Sequence, residues 1–154
     1  MKRIQIVTFF IIIAALIMAC LTATPLAPVT AEEDVEFTLA PDQTATIADS
    51  GITIRFLGVG GDERCPSEIE CAMSGPVSVS LSLQTGGGGA SDIHLQVFTS
   101  SDGRAPEGPF EGIQDRVEYE GYLIRIMGVL PYPRTRFDEI KDDDYRVTLM
   151  VTRK

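Results

Sequence analysis

The chain has no tryptophan and no asparagine, one histidine, and three lysines among its 13 cationic residues. Its 22 acidic residues give a net charge of −9, which argues against nucleic-acid partners. The sequence also lacks G-x-S-x-G, H-E-x-x-H, C-x-x-C and a phosphate-binding loop. Any histidine-dependent mechanism must use His94, the sole histidine. We therefore expect a protein that is not an enzyme and takes neither a cofactor nor a metal.

The N-terminal residues have the pattern of an export signal. Lys2 and Arg3 precede an uncharged run, 4–19, whose apolar stretch 6–18 has the length of a signal-peptide core. A spanning helix needs about 20 apolar residues. The stretch reaches marginal spanning length only if it extends through Leu21, so an uncleaved anchor stays an alternative.

The end of this stretch, Ile17-Met18-Ala19-Cys20, resembles the lipobox of bacterial lipoproteins. In those proteins the cysteine is acylated and becomes the new N-terminus, so the resemblance implies a lipid on Cys20. Met18 departs from the small or β-branched residue usual at its position. Ordinary signal cleavage at a small-x-small site, 21–23 or 29–31, is the alternative and leads to soluble secretion.

Three segments follow from this pattern: a signal over 1–20, a tether over 21–34 and a single domain over 35–154. The tether is rich in threonine, alanine and proline and has no periodic apolar face. The 44% of apolar residues in the chain suffices for the core of one domain. Processing at Cys20 removes two cations and no acids, which leaves 11 − 22 = −11. So negative a protein is expected to bind the membrane through acyl chains.

Cys65 and Cys71 remain as a pair once Cys20 is assigned to the signal. Export places them where disulfides persist, and we expect a structural disulfide between them. A zinc site normally needs four ligands at closer spacing, and a redox pair is usually C-x-x-C. Two free thiols are the other alternative.

Apolar and polar residues alternate at every second position after the tether. In 77–84, valine and leucine alternate with serine and glutamine, and the glycines 86–89 separate this segment from a second one, 93–97. The two segments predict an antiparallel hairpin with one polar face. The other predicted strands are 35–39, 44–47, 52–59, 117–119, 122–129 and 145–152, with a bulge or bend at Gly121.

The pattern predicts an all-β fold: one antiparallel sandwich or small barrel of about seven to eight short strands. Helical periodicity is confined to at most one turn, over 137–141. His94 alternates out of phase with the apolar residues of its strand, so we expect it on the solvated face. The acidic run 142–144 is expected to form a solvated turn before the last strand, since it lacks the spacing of a calcium loop.

Two loops have the composition of a binding surface. Phe110 is an apolar residue within the long polar connection 100–112, and it either contacts a partner or folds back onto the domain. Tyr132 lies between two prolines, with Arg134 and Arg136 close behind it. Rigid aromatic and arginine side chains are typical of interface anchors, but the composition favours the alternative of a stiff edge crossover packed on the core.

The segment Arg64-Cys65-Pro66, together with Cys71 and Gly75, resembles a group of small exported bacterial proteins and lipoproteins. In these an R-C-P-x4-C-x3-G segment precedes a β-strand, and a Tyr-Pro element precedes the closing strand. Many members carry an aromatic residue where Met73 stands here. The resemblance implies export, an all-β fold and a disulfide, and it assigns no functional residue.

These observations lead to one functional hypothesis and two alternatives. We expect an exported, extracytoplasmic accessory domain that is lipid-anchored or secreted and binds another protein, one candidate being a protease that it restrains. Its contact loops would be 65–75, 100–112 and 130–136. A small barrel that holds an apolar ligand is the first alternative. A hydrolase that uses two facing carboxylates is the second.

Overall fold

The computed structural model describes residues 26–135 and 139–154. Over these residues the chain is all-β, as predicted, and forms a sandwich of two sheets. The strands are β1 (Val29–Ala31), β2 (Phe37–Leu39), β3 (Thr44–Ile47), β4 (Ile52–Asp62), β5 (Val77–Thr85), β6 (Ser91–Val97), β7 (Arg116–Tyr119), β8 (Tyr122–Leu130) and β9 (Arg146–Arg153).

The strand orders of the two sheets are β1-β3-β4-β5-β6 and β2-β9-β8-β7. Alternate side chains of the strands point between the sheets and form one continuous core. Phe56, Leu81 and Ile126 are among its fully buried members. Each such side chain contributes about 1.5–3 kcal/mol to folding, so the two-residue period of the sequence is also the main source of stability.

The predicted tether is too long at its C-terminal end. Residues 29–31 form β1, which pairs in parallel with β3 at the edge of the first sheet. Ala31 is buried, and its carbonyl accepts a 2.8 Å hydrogen bond from the Ala48 amide. The sequence does not predict this strand, because three residues are too few to show the alternation of apolar and polar residues that is typical of a strand.

Other local predictions need smaller corrections. Glu120 and Gly121 both have positive φ and make a two-residue hairpin turn between β7 and β8, where a bulge or bend was expected. Of the helical turn expected over 137–141, residues 137 and 138 lie outside the described residues. The acidic run Asp142–Asp144 forms an exposed 3₁₀ turn just before β9, which confirms the solvated turn predicted there.

Loops from both sheets meet at one end of the sandwich. β4 ends and β5 begins there in the first sheet, while β8 ends and β9 begins there in the second. We call the described residues 63–76, 98–104 and 130–135 the loop end. The predicted contact loops therefore meet here: all of 65–75, 130–136 as far as it is described, and residues 100–104 of the loop 100–112.

Asp115 is a buried carboxylate that lies just before β7. It accepts hydrogen bonds from Nε and Nη2 of Arg116, at 2.8 and 2.9 Å, and lies 3.5 Å from Arg125 Nε. Burial acts to raise the pKa of Asp115, but the hydrogen bonds from Arg116 and the charges of both arginines outweigh it and hold the pKa below its ordinary value.

This low pKa makes Asp115 a source of acid-sensitive stability. Because the pKa is lower in the folded state, the ionised carboxylate stabilises the fold above its unfolded-state pKa of about 3.9, and this is lost as the pH falls through the folded-state value. We expect Asp115→Asn to cost about 2 kcal/mol at neutral pH and much less below about pH 3. Urea unfolding at the two pH values measures the difference.

Asp92→Asn is the matched control, because Asp92 is exposed on β6. We expect it to change stability by less than about 0.5 kcal/mol at either pH. A cost of Asp115→Asn that stays constant with pH would contradict the role assigned to the carboxylate.

Candidate binding surface

Arg64 organises the loop end. It follows β4 by two residues, and its side chain is fully buried. Its Nε donates to Oδ1 of Asp62 at 2.8 Å, and its Nη2 donates to Oδ2 at 2.5 Å. The guanidinium and the carboxylate thus form a bidentate ion pair, the geometry in which this interaction is strongest.

The remaining donors of Arg64 reach the loop after β6 and the C-terminal end of β8 in the second sheet. Nη1 donates to the carbonyl of Val129 at 2.8 Å and to Oγ1 of Thr99 at 3.4 Å, and Nη2 donates to the carbonyl of Pro131 at 2.8 Å. A guanidinium has five N–H groups, and all five have an acceptor here. Arg64 therefore joins the ends of the two sheets and has no donor left for a ligand.

Asp62 is equally occupied. Its Oδ1 accepts from the backbone N–H and the Nε of Arg64, and its Oδ2 accepts from Nη2 of Arg64 and, at 3.1 Å, from the hydroxyl of Tyr145. Burial, the charge of Asp62 and this hydrogen bond raise the pKa of Tyr145 to about 12, so the phenol stays protonated and donates. The three side chains form a closed network with no group free to act as a base.

The disulfide loop packs on the proline-rich segment that follows β8. The amides of Ser67 and Glu68 donate to the carbonyls of Pro133 and Arg134 at 3.0 and 2.9 Å. The Tyr132 hydroxyl donates to the carbonyl of Cys65 at 2.8 Å. These three bonds join two loops that are more than sixty residues apart in the sequence.

Tyr132 also covers Arg64. The guanidinium carbon lies 4.9 Å from the centroid of the tyrosine ring, within the range of a cation–π contact. Tyr132 is one of the contact residues that the sequence suggests, and one face of its ring packs against the Arg64 guanidinium.

The predicted disulfide between Cys65 and Cys71 is present, with Cα atoms 6.0 Å apart. The residues that follow Cys71 are held by two hydrogen bonds. The Cys65 amide donates to Oγ of Ser74 at 3.0 Å, and the Gly75 amide donates to the carbonyl of Glu63 at 2.9 Å. A Cβ on Gly75 would lie 2.5 Å from Cβ of Glu63, so only glycine fits. Arg64 and Gly75 of the R-C-P-x4-C-x3-G segment therefore have structural roles.

Charged and apolar groups remain on the outside of these loops. Arg134 pairs with Glu68 at 2.9 Å, and both side chains are at least half exposed. Met73 is 87% exposed and Leu130 is 48% exposed. The hydrogen-bonded loops thus expose both the thioether of Met73 and a solvated ion pair.

Three of the four candidate contact residues are described, and all three lie at the loop end or against it. Tyr132 and Arg134 belong to the loop end, and Phe110 makes an edge-to-face contact with Phe98 of the loop end, with ring centroids 5.5 Å apart. Phe110 is 38% exposed, which is intermediate between the two positions the sequence left open. Arg136 lies outside the described residues.

Other candidate chemistry has simpler explanations. His94 is exposed on β6, as predicted, and its Nδ1 lies 2.9 Å from Oγ of Ser80 on the neighbouring strand. Glu32, Glu33 and Asp49 line a surface cleft of about 390 Å³, where Glu33 is paired with Arg153 at 2.7 Å. Within 26–135 and 139–154, no group of three or more potential ligands could hold a metal ion.

Sequence reasoning missed the partners of Arg64. Asp62, Glu63, Glu68 and Glu70 are all close to Arg64 in the sequence, and in the structure Arg64 forms its ion pair with Asp62. Tyr145 and the carbonyls of Val129 and Pro131 are contributed from more than sixty residues away. No local signal identifies such partners.

Comparison of the chain with family models, curated proteins and solved structures finds no match. The geometry of the loop end is therefore the basis for a functional proposal.

Proposed function

We propose that this protein is an exported accessory domain of the bacterial cell envelope that binds another extracytoplasmic protein through its loop end. A lipid on Cys20 anchors it to the membrane. The Cys65–Cys71 disulfide is compatible with an oxidising, extracytoplasmic location. In the described part of the chain, no helix has the length and apolar character needed to cross a membrane.

The full occupancy of Arg64 carries this proposal. All five of its donors are used within the chain, so the network stabilises the loops and offers no reactive group. A preformed surface loses little conformational freedom when a partner binds, which favours affinity. The loop end has this property, and its exposed residues Met73, Leu130 and Arg134 are of the types that anchor interfaces or surround them.

The position of β1 limits how far the domain extends from the membrane. A chain anchored at Cys20 has eight residues, 21–28, before β1 begins at Val29. At about 3.5 Å for each residue, these span at most about 30 Å. The loop end would therefore meet proteins close to the membrane surface.

The two alternatives draw less support from the structure. A barrel around an apolar ligand requires an enclosed apolar cavity. The fold is instead a sandwich, and the clefts bordered by described residues include charged side chains such as Arg64, Arg55 and Glu33. For a carboxylate hydrolase, the cleft lined by Glu32, Glu33 and Asp49 also contains Arg153, which is paired with Glu33.

The proposal is tested by capture from envelope extracts of the producing bacterium. The full chain is compared with Arg134→Glu, which changes the loop end. The matched control is Arg55→Glu, because Arg55 is also an exposed, ion-paired arginine but lies on β4, outside the loop end. We expect the wild type and Arg55→Glu to retain the same envelope protein. The amount retained by Arg134→Glu should be lower by at least about tenfold.

Retention that is equal for all three proteins, or absent for all three, would contradict the proposal. Intact mass after expression in a lipidating host tests the anchor separately: processing at Cys20 removes residues 1–19 and adds the mass of the acyl groups. An unmodified N-terminus at another site would remove the lipid anchor from the proposal.

A further inference from the structure

We propose that residues 71–74, which we call the arch, occupy the substrate cleft of an extracytoplasmic serine endopeptidase and thereby inhibit it. Met73 would fill the pocket that selects the substrate side chain, and that pocket would be apolar. This inference rests on the proposed function and specifies the partner of the loop end.

The arch is the most exposed part of the loop end. Its four consecutive residues, from Cys71 to Ser74, are all exposed. Met73 is 87% exposed, the highest value among the exposed large hydrophobic residues of the described chain. An apolar side chain so exposed on a soluble domain is unfavourable in water, and burial in a partner's pocket would remove that cost.

The arch is held at both of its ends. The disulfide joins Cys71 to Cys65, and Ser74 accepts a 3.0 Å hydrogen bond from the Cys65 amide. The next residue, Gly75, donates to Glu63 and is packed too closely against it for any side chain. Cys65 in turn is fixed to Tyr132, which contacts Arg64. Met73 thus lies between residues that are tied to the rest of the loop end, Cys71 on one side and Ser74 and Gly75 on the other.

These features suit a serine endopeptidase among the possible partners. Such an enzyme binds an exposed stretch of peptide and recognises one side chain in a deep pocket, which is a hydrophobic slot in the chymotrypsin type. The residue before Met73 is alanine, so no bulky neighbour within the arch obstructs entry of the thioether. A stretch that is restrained at both ends enters the cleft at a small entropic cost.

The test uses the full chain in detergent with two purified probes, chymotrypsin and trypsin, and small chromogenic substrates. We expect the wild type to inhibit chymotrypsin and to leave trypsin active. Met73→Lys should reverse this preference, with about a hundredfold change in each inhibition constant, because a pocket anchor carries most of the binding energy. Val35→Lys is the matched control, since Val35 is 50% exposed and lies outside the loop end; it should inhibit as the wild type does.

Failure to inhibit chymotrypsin, an unchanged preference in Met73→Lys, or rapid cleavage within 71–74 would overturn the inference. Thermal unfolding checks that the exposed substitution leaves the fold intact. Met73→Ala is a second variant and should inhibit neither enzyme. The outcome is separable from that of the proposed function. If Met73→Lys retains the envelope protein captured by the wild type, the loop end still binds a partner and only the role of the arch is wrong.

Discussion

Replacement of Arg64 by methionine is expected to destabilise the domain by about 3–5 kcal/mol. Methionine preserves much of the side-chain volume but leaves the carboxylate of Asp62, whose side chain is only 12% exposed, without its counter-charge. Removing one partner of a largely desolvated ion pair has this cost. The carbonyls of Val129 and Pro131 also lose their hydrogen bonds. Urea or thermal unfolding of the purified variant measures the loss.

Two further variants test whether the loss of stability comes from the Arg64–Asp62 ion pair or from the removal of any positive charge. Arg134→Met removes an exposed partner of Glu68 and should cost at most about 1 kcal/mol. The double variant Asp62→Asn with Arg64→Met should be more stable than the sum of the single effects predicts, because no charge remains buried. A loss below about 1 kcal/mol for Arg64→Met would show that the network does not stabilise the fold.

Removal of the disulfide, as Cys65→Ser with Cys71→Ser, is expected to destabilise the domain by about 2 kcal/mol. The two cysteines are six residues apart, and closing so short a loop removes only this much conformational entropy from the unfolded chain. The sandwich core does not include the loop, so we expect the sheets to persist. Denaturant unfolding with and without a reducing agent measures the effect.

Cys20→Ser is the control, because it removes a cysteine that the pair does not use. We expect its unfolding free energy to equal that of the wild type. A complete loss of folding on removal of Cys65 and Cys71, or no loss at all, would contradict the contribution assigned to the disulfide.

The sequence predicts the sheets well because their signal is local. In β5, the alternation of valine and leucine with serine matches the alternation of buried and partly buried residues in the structure. The glycines 86–89 connect β5 to β6 as predicted. A two-residue period is a property of neighbouring residues, so it can be identified without knowing which strands pair.

The sequence does not predict the loop end because its signal is long-range. Tyr132 and Arg134 stand out by their composition, but the partner of each, Cys65 or Glu68, is more than sixty residues away. The burial of Arg64 depends on acceptors from two sheets and cannot be inferred from its neighbours. β1 is similar, since a three-residue parallel strand exists only through its pairing with β3.

The same set of contacts supports both the proposed binding at the loop end and the proposed inhibition by the arch. Arg64 fixes the loops, the loops hold the arch, and the arch exposes Met73. Each step uses an interaction internal to the chain, so the surface offered to a partner is formed before binding. A rigid loop end is therefore the physical condition on which both proposals, the accessory function and the inhibitory arch, depend.

Amide hydrogen exchange of residues 63–76, in the wild type and in Arg64→Met, tests this condition. We expect the amides of Ser67, Glu68 and Gly75 to be protected in the wild type, because they donate to Pro133, Arg134 and Glu63. In Arg64→Met these three should lose protection, while the amides that pair β5 with β6 keep theirs. Unprotected loop amides in the wild type, or full protection in Arg64→Met, would contradict a loop end held rigid by Arg64.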